Sequence, residues 1–220
     1  MSQWRAARKT VLEAARKMSE KGLVVGTSGN ISLRLPSDGK NQLMAITPTS
    51  RHYDTLKADD IPIIDFDGKR VAGDLPPSIE TPMHIGIYRA RKDVNAIIHT
   101  HSVFASAAAV AGIDIPTLLE DQAAFLGGEI KLAGYAASGT PEQMANVLAA
   151  LGDRNAVLLA NHGAVGTGRA MRDAFTACEL IEKTARVYFL TLSTGKVNQL
   201  PEKAAAIQKA IYARLQGREE

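Results

Sequence analysis

The chain has one cysteine in 220 residues, Cys178. A lone thiol excludes an internal disulfide and any zinc site built from several cysteines. That usage fits a reduced, cytoplasmic setting. Cys178 sits in an apolar helical pattern and reads as buried filler rather than a nucleophile. Long apolar runs are missing as well. No window reaches the about 20 apolar residues of a membrane-spanning helix. The first segment, "MSQWRAARKTVLEAARKMSEKGL", has no uninterrupted apolar stretch of the signal-peptide kind. A protein neither secreted nor embedded in a membrane is expected. Blocks of like charge are also absent. Lys plus Arg is 26, Asp plus Glu is 23, and the net charge of +3 is dispersed, so nothing points to nucleic acid. With no repeat, low-complexity tract or linker, residues 1–220 read as a single domain around one core.

What is present is an interleaving of helical and strand patterns. Apolar residues recur at three- and four-residue steps from 3 to 20, which predicts a helix stopped by Gly22. Ile31, Leu33 and Leu35 alternate and predict a strand. "LMAITPTS" predicts a second strand running into a hydroxyl-rich turn. "DIPIIDFDGKRVAGD" reads as a hairpin turned at "DGK". "PPSIETPMHIGIYRAR" reads as a helix opened by Pro76 and Pro77, capped by Ser78, with Pro82 in its first turn. "VNAIIHTH" reads as a buried strand, and "SVFASAAAVAGI" as a small-residue helix. A short strand and a helix begun by Thr140, Pro141 and Glu142 follow. "NAVLLANHGAVGTG" predicts two strands about a His-Gly turn. Two helices end the chain. The expected class is α/β, with a mixed or largely antiparallel sheet covered by helices. The order of the strands does not follow from these patterns.

The chemistry concentrates at a few strand exits and turns. His99 and His101, in "HTHS", alternate along a strand and share one face, so they can chelate one metal. Taken alone, His-x-His is a weak signal, and two structural histidines are the more ordinary reading. His162 ends a second apolar run, "VLLANHG", where Gly163 permits a sharp turn. Three neutral imidazoles suit Zn²⁺ with an open fourth position. Glu80 lies near a helix start, where the macrodipole favours its ionised form. His84, one turn on, reads as a neighbouring polar residue rather than a ligand, and His52 as a loop histidine. The turns "GTSGN" (26–30), "TPTS" (47–50) and "PPS" (76–78) offer hydroxyls and N–H groups of the kind that nest an anion.

Taken in order, "GTSGNIS", "ITPTS", "LPPSIETPMH", "HTHS" and "NHG" resemble the class II aldolase/adducin family, over nearly the full chain and nearest to its fuculose-phosphate aldolase branch. The resemblance implies a three-layer α/β/α sandwich with a largely antiparallel central sheet. It implies a zinc enzyme of sugar-phosphate chemistry, with another divalent transition metal also able to serve. His99, His101 and His162 match the metal ligands. Glu80 matches the acid/base, which can also occupy the metal at rest. Gly29, Asn30, Thr49, Ser50 and Ser78 fall on the phosphate-binding turns. Family members are typically cyclic tetramers with the site at a subunit interface. The activity implied is reversible cleavage of a ketose 1-phosphate to dihydroxyacetone phosphate and a small aldehyde. A 4-epimerase, a methylthioribulose-phosphate dehydratase and a sugar-acid phosphate decarboxylase share the scaffold, and the adducin-like branch lacks a complete metal triad. Three positions depart from the branch's pattern: Ile79 replaces a serine, Ser50 a glycine, and Glu120 stands where a neighbouring subunit offers a tyrosine acid. Tyr212 aligns too loosely with a C-terminal tyrosine to take a role.

Overall fold

A continuous apolar run along one central strand organises the molecule. In the computed structural model, which describes residues 4–36 and 41–217, that strand is β5 (Ala96–Thr100), buried along its whole length. Ile97 and Ile98 are both fully buried but face opposite ways. Burial of each side chain contributes about 1.5–3 kcal/mol, so β5 is sealed on both faces. Around it runs one eight-stranded sheet. Its other strands are β1 (Asn30–Arg34), β2 (Leu43–Ile46), β3 (Ile63–Asp65), β4 (Arg70–Ala72), β6 (Lys131–Ala133), β7 (Ala156–Leu159) and β8 (Gly163–Gly168). The order is β4-β3-β2-β1-β5-β8-β7-β6. Every neighbouring pair is antiparallel except β6 and β7. That parallel pair is joined through α4 (Pro141–Leu151), as a parallel connection requires.

Helices cover both faces. On one, α1 (Arg5–Glu20) and α5 (Met171–Leu192) set Val11, Ala15, Met18, Phe175 and Cys178 against Ile31, Ala45 and Ile98. There α3 (Val103–Ala111) packs its alanines beside Leu158, Ala164 and Ile181. On the other face, α2 (Thr81–Ala90) and α4 bring Met83, Ile87, Val147 and Leu151 onto Met44, Ile64, Ile97 and Val165. A last helix, α6 (Glu202–Leu215), lies against the segment that follows α3. The result is the three-layer α/β/α sandwich with a largely antiparallel sheet that the resemblance implied. The helix expected from residue 3 begins at Arg5, and residue 3 itself lies outside the described residues.

Two local expectations are corrected, and one element is new. Ser78 does not cap α2; the residue before the helix is Glu80. An isolated bridge between Pro48 and Pro77, with the Ser78 N–H on the Thr47 carbonyl, keeps this stretch extended and delays the helix. Gly163 does not make the turn after β7. Asn161 does, in the left-handed region at φ 55°. Gly163 is needed for close approach instead, since a Cβ there would fall 2.2 Å from the Thr100 carbonyl oxygen. Residues Gln122–Leu126 form a π-helical turn that no pattern announced. It is held by buried Gln122, whose amide donates to the Pro116 and Gly128 carbonyls and accepts from the Leu118 N–H.

Candidate metal centre and active site

The site grows from the register of two strand pairs. Asn30 stands directly across from His99 in the β1–β5 ladder, so their side chains share a face. His99 and His101 lie two residues apart at the end of β5 and point the same way. The β7–β8 turn carries His162 back to them. The three imidazoles meet edge to face, with ring centroids 4.6–4.8 Å apart.

The hydrogen bonds fix which nitrogen faces the centre. His99 Nδ1 lies 3.0 Å from the Ala164 carbonyl, which can only accept, so Nδ1 carries a proton and Nε2 is the nitrogen turned toward the other two rings. His99 Nε2 is 2.9 Å from His101 Nε2 and 3.2 Å from His162 Nε2. Nitrogens on one tetrahedral zinc stand about 3.3 Å apart, given Zn–N bonds of about 2.05 Å. Ring nitrogens converging at these separations suit a shared cation. Burial, then the neighbouring imidazoles, push His101 down to about 4 and move His162 in the same direction against the pull of Glu80. Both side chains are therefore neutral, as ligands must be, at ordinary pH.

Glu80 faces this centre from the start of α2. It is 4% exposed, and its Oε2 lies 3.2 Å from His99 Nε2. Two amides clamp it: Asn30 Nδ2 donates to Oε2 at 2.8 Å and Gln143 Nε2 to Oε1 at 2.6 Å. Burial by itself would raise the carboxyl. In acid, where neighbouring rings take up charge, His99 and His162 together with these two donors outweigh it and hold the group at about 2. Asn30 Oδ1 in turn meets His84 Nε2 at 2.6 Å, and His84 Nδ1 meets Ser32 Oγ at 2.6 Å. His84, fully buried, thus has both nitrogens engaged away from the triad.

The three predicted turns converge beside the triad. Thr27, Ser28, Gly29, Asn30, Pro48, Thr49, Ser50, Ser78, Ile79 and Glu80 line one cleft of about 180 Å³ with His101, Ser138 and His162. Main-chain bonds knit the turns together: Thr47 N–H to Ile31 O, Ser78 N–H to Thr47 O, and Thr49 N–H to Pro76 O. Buried Tyr53 donates its hydroxyl to the Gly29 carbonyl at 2.6 Å and anchors the first turn from below. Gly29 is required there, because at φ 73° a Cβ would sit 2.6 Å from the His99 carbonyl oxygen.

Other candidates lie elsewhere. Glu120 is exposed and outside the residues lining the cleft. Tyr212 is buried and donates to the Asp153 carbonyl at 2.6 Å, a structural contact. Cys178 is buried, and desolvation raises its thiol. His52 is exposed in a loop, as expected. Sequence reasoning missed Gln143 and Ser138. The Thr-x-x-Gln spacing of Thr140 and Gln143 marks a helix start, but nothing in it announces a partner 63 residues away.

Comparison with known proteins identifies the family. A family model described as the Class II Aldolase and Adducin N-terminal domain matches residues 9–189. The 5-deoxy-D-ribulose 1-phosphate aldolase of Bacillus thuringiensis serovar kurstaki is 37% identical over 195 residues, which is 89% of this chain and 90% of that protein. The 5-methylthioribulose-1-phosphate/5-deoxyribulose-1-phosphate aldolase of Rhodospirillum rubrum is 36% identical, over 89% of this chain and 86% of that one. A solved L-fuculose 1-phosphate aldolase superposes with a TM-score of 0.88 at 33% identity, covering 96% of both chains. The chain therefore belongs to the class II aldolase/adducin family, and the relatives it matches are named as sugar-phosphate aldolases.

Proposed function

We propose that this chain, acting as one domain over 1–220, is a zinc-dependent aldolase that reversibly cleaves a ketose 1-phosphate to dihydroxyacetone phosphate and a small aldehyde. The observation that carries this reading is the clamped Glu80 carboxylate, 3.2 Å from His99 Nε2 at the edge of three converging imidazoles. His99, His101 and His162 hold the metal, with Glu80 as a further ligand at rest. Zn²⁺, or another divalent transition metal, supplies Lewis-acid stabilisation of the negative charge developing on the ketose oxygens. Glu80 removes the C3 proton of dihydroxyacetone phosphate in condensation and returns it in cleavage. Its clamped, ionised state suits a base that must point at one carbon.

The phosphate lies against the turns that carry Gly29, Asn30, Thr49, Ser50 and Ser78, where N–H groups and hydroxyls replace its water. Anchored there, the substrate is oriented at the metal by binding energy remote from the broken bond. Asn30 also fixes the base beside the phosphate turn. In condensation the new hydroxyl at C4 takes its proton from Glu120, offered by the neighbouring protomer of a cytoplasmic homotetramer. Two relatives named for 5-deoxyribulose 1-phosphate support that ketose as substrate, with acetaldehyde as the aldehyde.

The test is direct. Metal-loaded protein is incubated with 5-deoxyribulose, 5-methylthioribulose and fuculose 1-phosphates, and dihydroxyacetone phosphate is measured. Release is expected with at least the first. Glu80→Gln should retain its metal and lose turnover by about 10²–10⁴-fold, the usual worth of a general base. An epimer or a dehydrated ketone without dihydroxyacetone phosphate overturns the aldolase reading. Unchanged turnover in Glu80→Gln removes Glu80 from the mechanism.

A further inference from the structure

We propose that Gln143 is a positioning residue for the Glu80 carboxylate, a role that rests on Glu80 acting as the base. Gln143 is the third residue of α4 and is 3% exposed. Its main-chain N–H bonds Thr140 Oγ1 at 3.2 Å, as a threonine-capped helix start requires. Its Oε1 accepts the Gly139 N–H at 2.7 Å. Only a carbonyl oxygen can accept there, so the orientation of the amide is settled and its NH₂ must face the other way. That direction holds Glu80 Oε1, 2.6 Å off. Asn30, on β1, holds the second carboxylate oxygen. Donors from two separate elements thus grip one oxygen each and stop the carboxylate from rotating away from His99.

Gln143 also ties the base to the wall of the cleft. Gly139 sits at φ 79°, and a Cβ on it would fall 2.5 Å from the Ile79 carbonyl oxygen. The turn before α4 therefore rests on the residue that precedes Glu80. Ser138, in the same turn, lines the cleft. Through the Gly139 N–H, the Gln143 amide and Glu80 Oε1, the position of this wall is passed directly to the base.

A role confined to capping α4 makes a different prediction from a role in positioning. Glutamate is as good as glutamine at this helix position after a threonine cap. It still accepts from Gly139, but it sets a second carboxylate against Glu80. Gln143→Glu should therefore lose kcat by about 10- to 100-fold, the scale expected when a reacting group is displaced by about 1 Å. Its KM for the ketose phosphate should stay within about twofold, because the phosphate turns are untouched. Gln143→Leu, which removes both bonds, should lose kcat to a similar degree. Metal content and melting temperature are measured for each variant. A crystal structure of Gln143→Leu should show Glu80 Oε2 moved out of contact with His99 Nε2. Wild-type kcat in Gln143→Glu, or an unmoved Glu80 in the Gln143→Leu crystal, overturns the proposal while leaving the aldolase reading intact. No dihydroxyacetone phosphate from wild-type protein on any of the three ketoses overturns both.

Discussion

Ser50 occupies left-handed backbone at φ 54°, a region that costs a residue with a Cβ roughly 1–2 kcal/mol. It does so in the cleft, with its hydroxyl 3.4 Å from that of Thr49. Strain of this kind persists where function holds the residue in place. Ser50→Gly should raise stability by about 0.5–1 kcal/mol, the strain relieved less the extra freedom of glycine in the unfolded chain. It should also raise the KM for the phosphorylated substrate, since one hydroxyl leaves the phosphate turn. Urea midpoints and steady-state kinetics check the two halves separately; a less stable variant with unchanged KM contradicts both. Residues whose position follows from local geometry were legible in the sequence in this sense. His99 and His101 share a face because strands alternate, and the three hydroxyl-rich turns were visible as turns. What was not legible depended on contacts between distant segments. Asn30 read as a phosphate-turn residue, yet its side chain spans Glu80 and His84. Gln143 gave no sign of its partner at all.

At the scale of elements, α2 is fixed to the sheet by one polar seam in an otherwise apolar face. His84 of α2 meets Asn30 and Ser32 of β1, and the Tyr88 hydroxyl meets Ser32 Oγ at 2.8 Å. Burial drives His84 down from 6.5 to about 3, with Glu80 pulling the other way and His99 adding to the drop. The folded state therefore keeps His84 neutral where the unfolded chain protonates it. Its contribution is fully present above pH 6.5 and is lost as pH falls from 6.5 toward 3. One such group gives a limiting slope of about 1.4 kcal/mol per pH unit. In metal-free protein the unfolding free energy should fall steeply from pH 6.5 to 4, with His101 and His162 contributing in the same direction. His84→Asn should flatten that dependence by about one proton, whatever it does to the absolute stability. An identical slope in the variant would show that His84 titrates freely in the fold. The seam itself was out of reach of sequence patterns, because His84 reads as one more polar residue a turn after Glu80. Most elements were within reach: the hairpin at "DGK", the strand before "HTHS" and the terminal helices all formed where periodicity placed them. Strand order and the single parallel pair were not, since alternation says which face a residue takes and nothing about which strand lies beside it.

For the whole molecule, the proposed mechanism turns on whether Glu120 serves its own chain's cleft or that of a neighbouring copy. The cleft is lined by His101, His162, Glu80 and the three hydroxyl-rich turns, but Glu120 is exposed and lies outside it. Large apolar side chains are also exposed: Val103 and Val110 on α3 are 69% and 65% exposed, and Ile207 on α6 is 62%. Exposed apolar groups of this size favour association between copies, and a closed ring would bring one protomer's Glu120 to the next protomer's cleft. Complementation distinguishes this from a self-sufficient chain. On the proposed mechanism Glu80→Gln lacks the base and Glu120→Gln lacks the proton donor, so each alone should be nearly inactive. Unfolded together in equal amounts and refolded as mixed tetramers, they regenerate sites that take Glu80 from one variant and Glu120 from the other. Random assembly in a ring makes about one quarter of the sites intact, so activity should return to about a quarter of wild type. If Glu120 served its own chain, every site in the mixture would still lack one group, and activity would stay at the level of the separate variants.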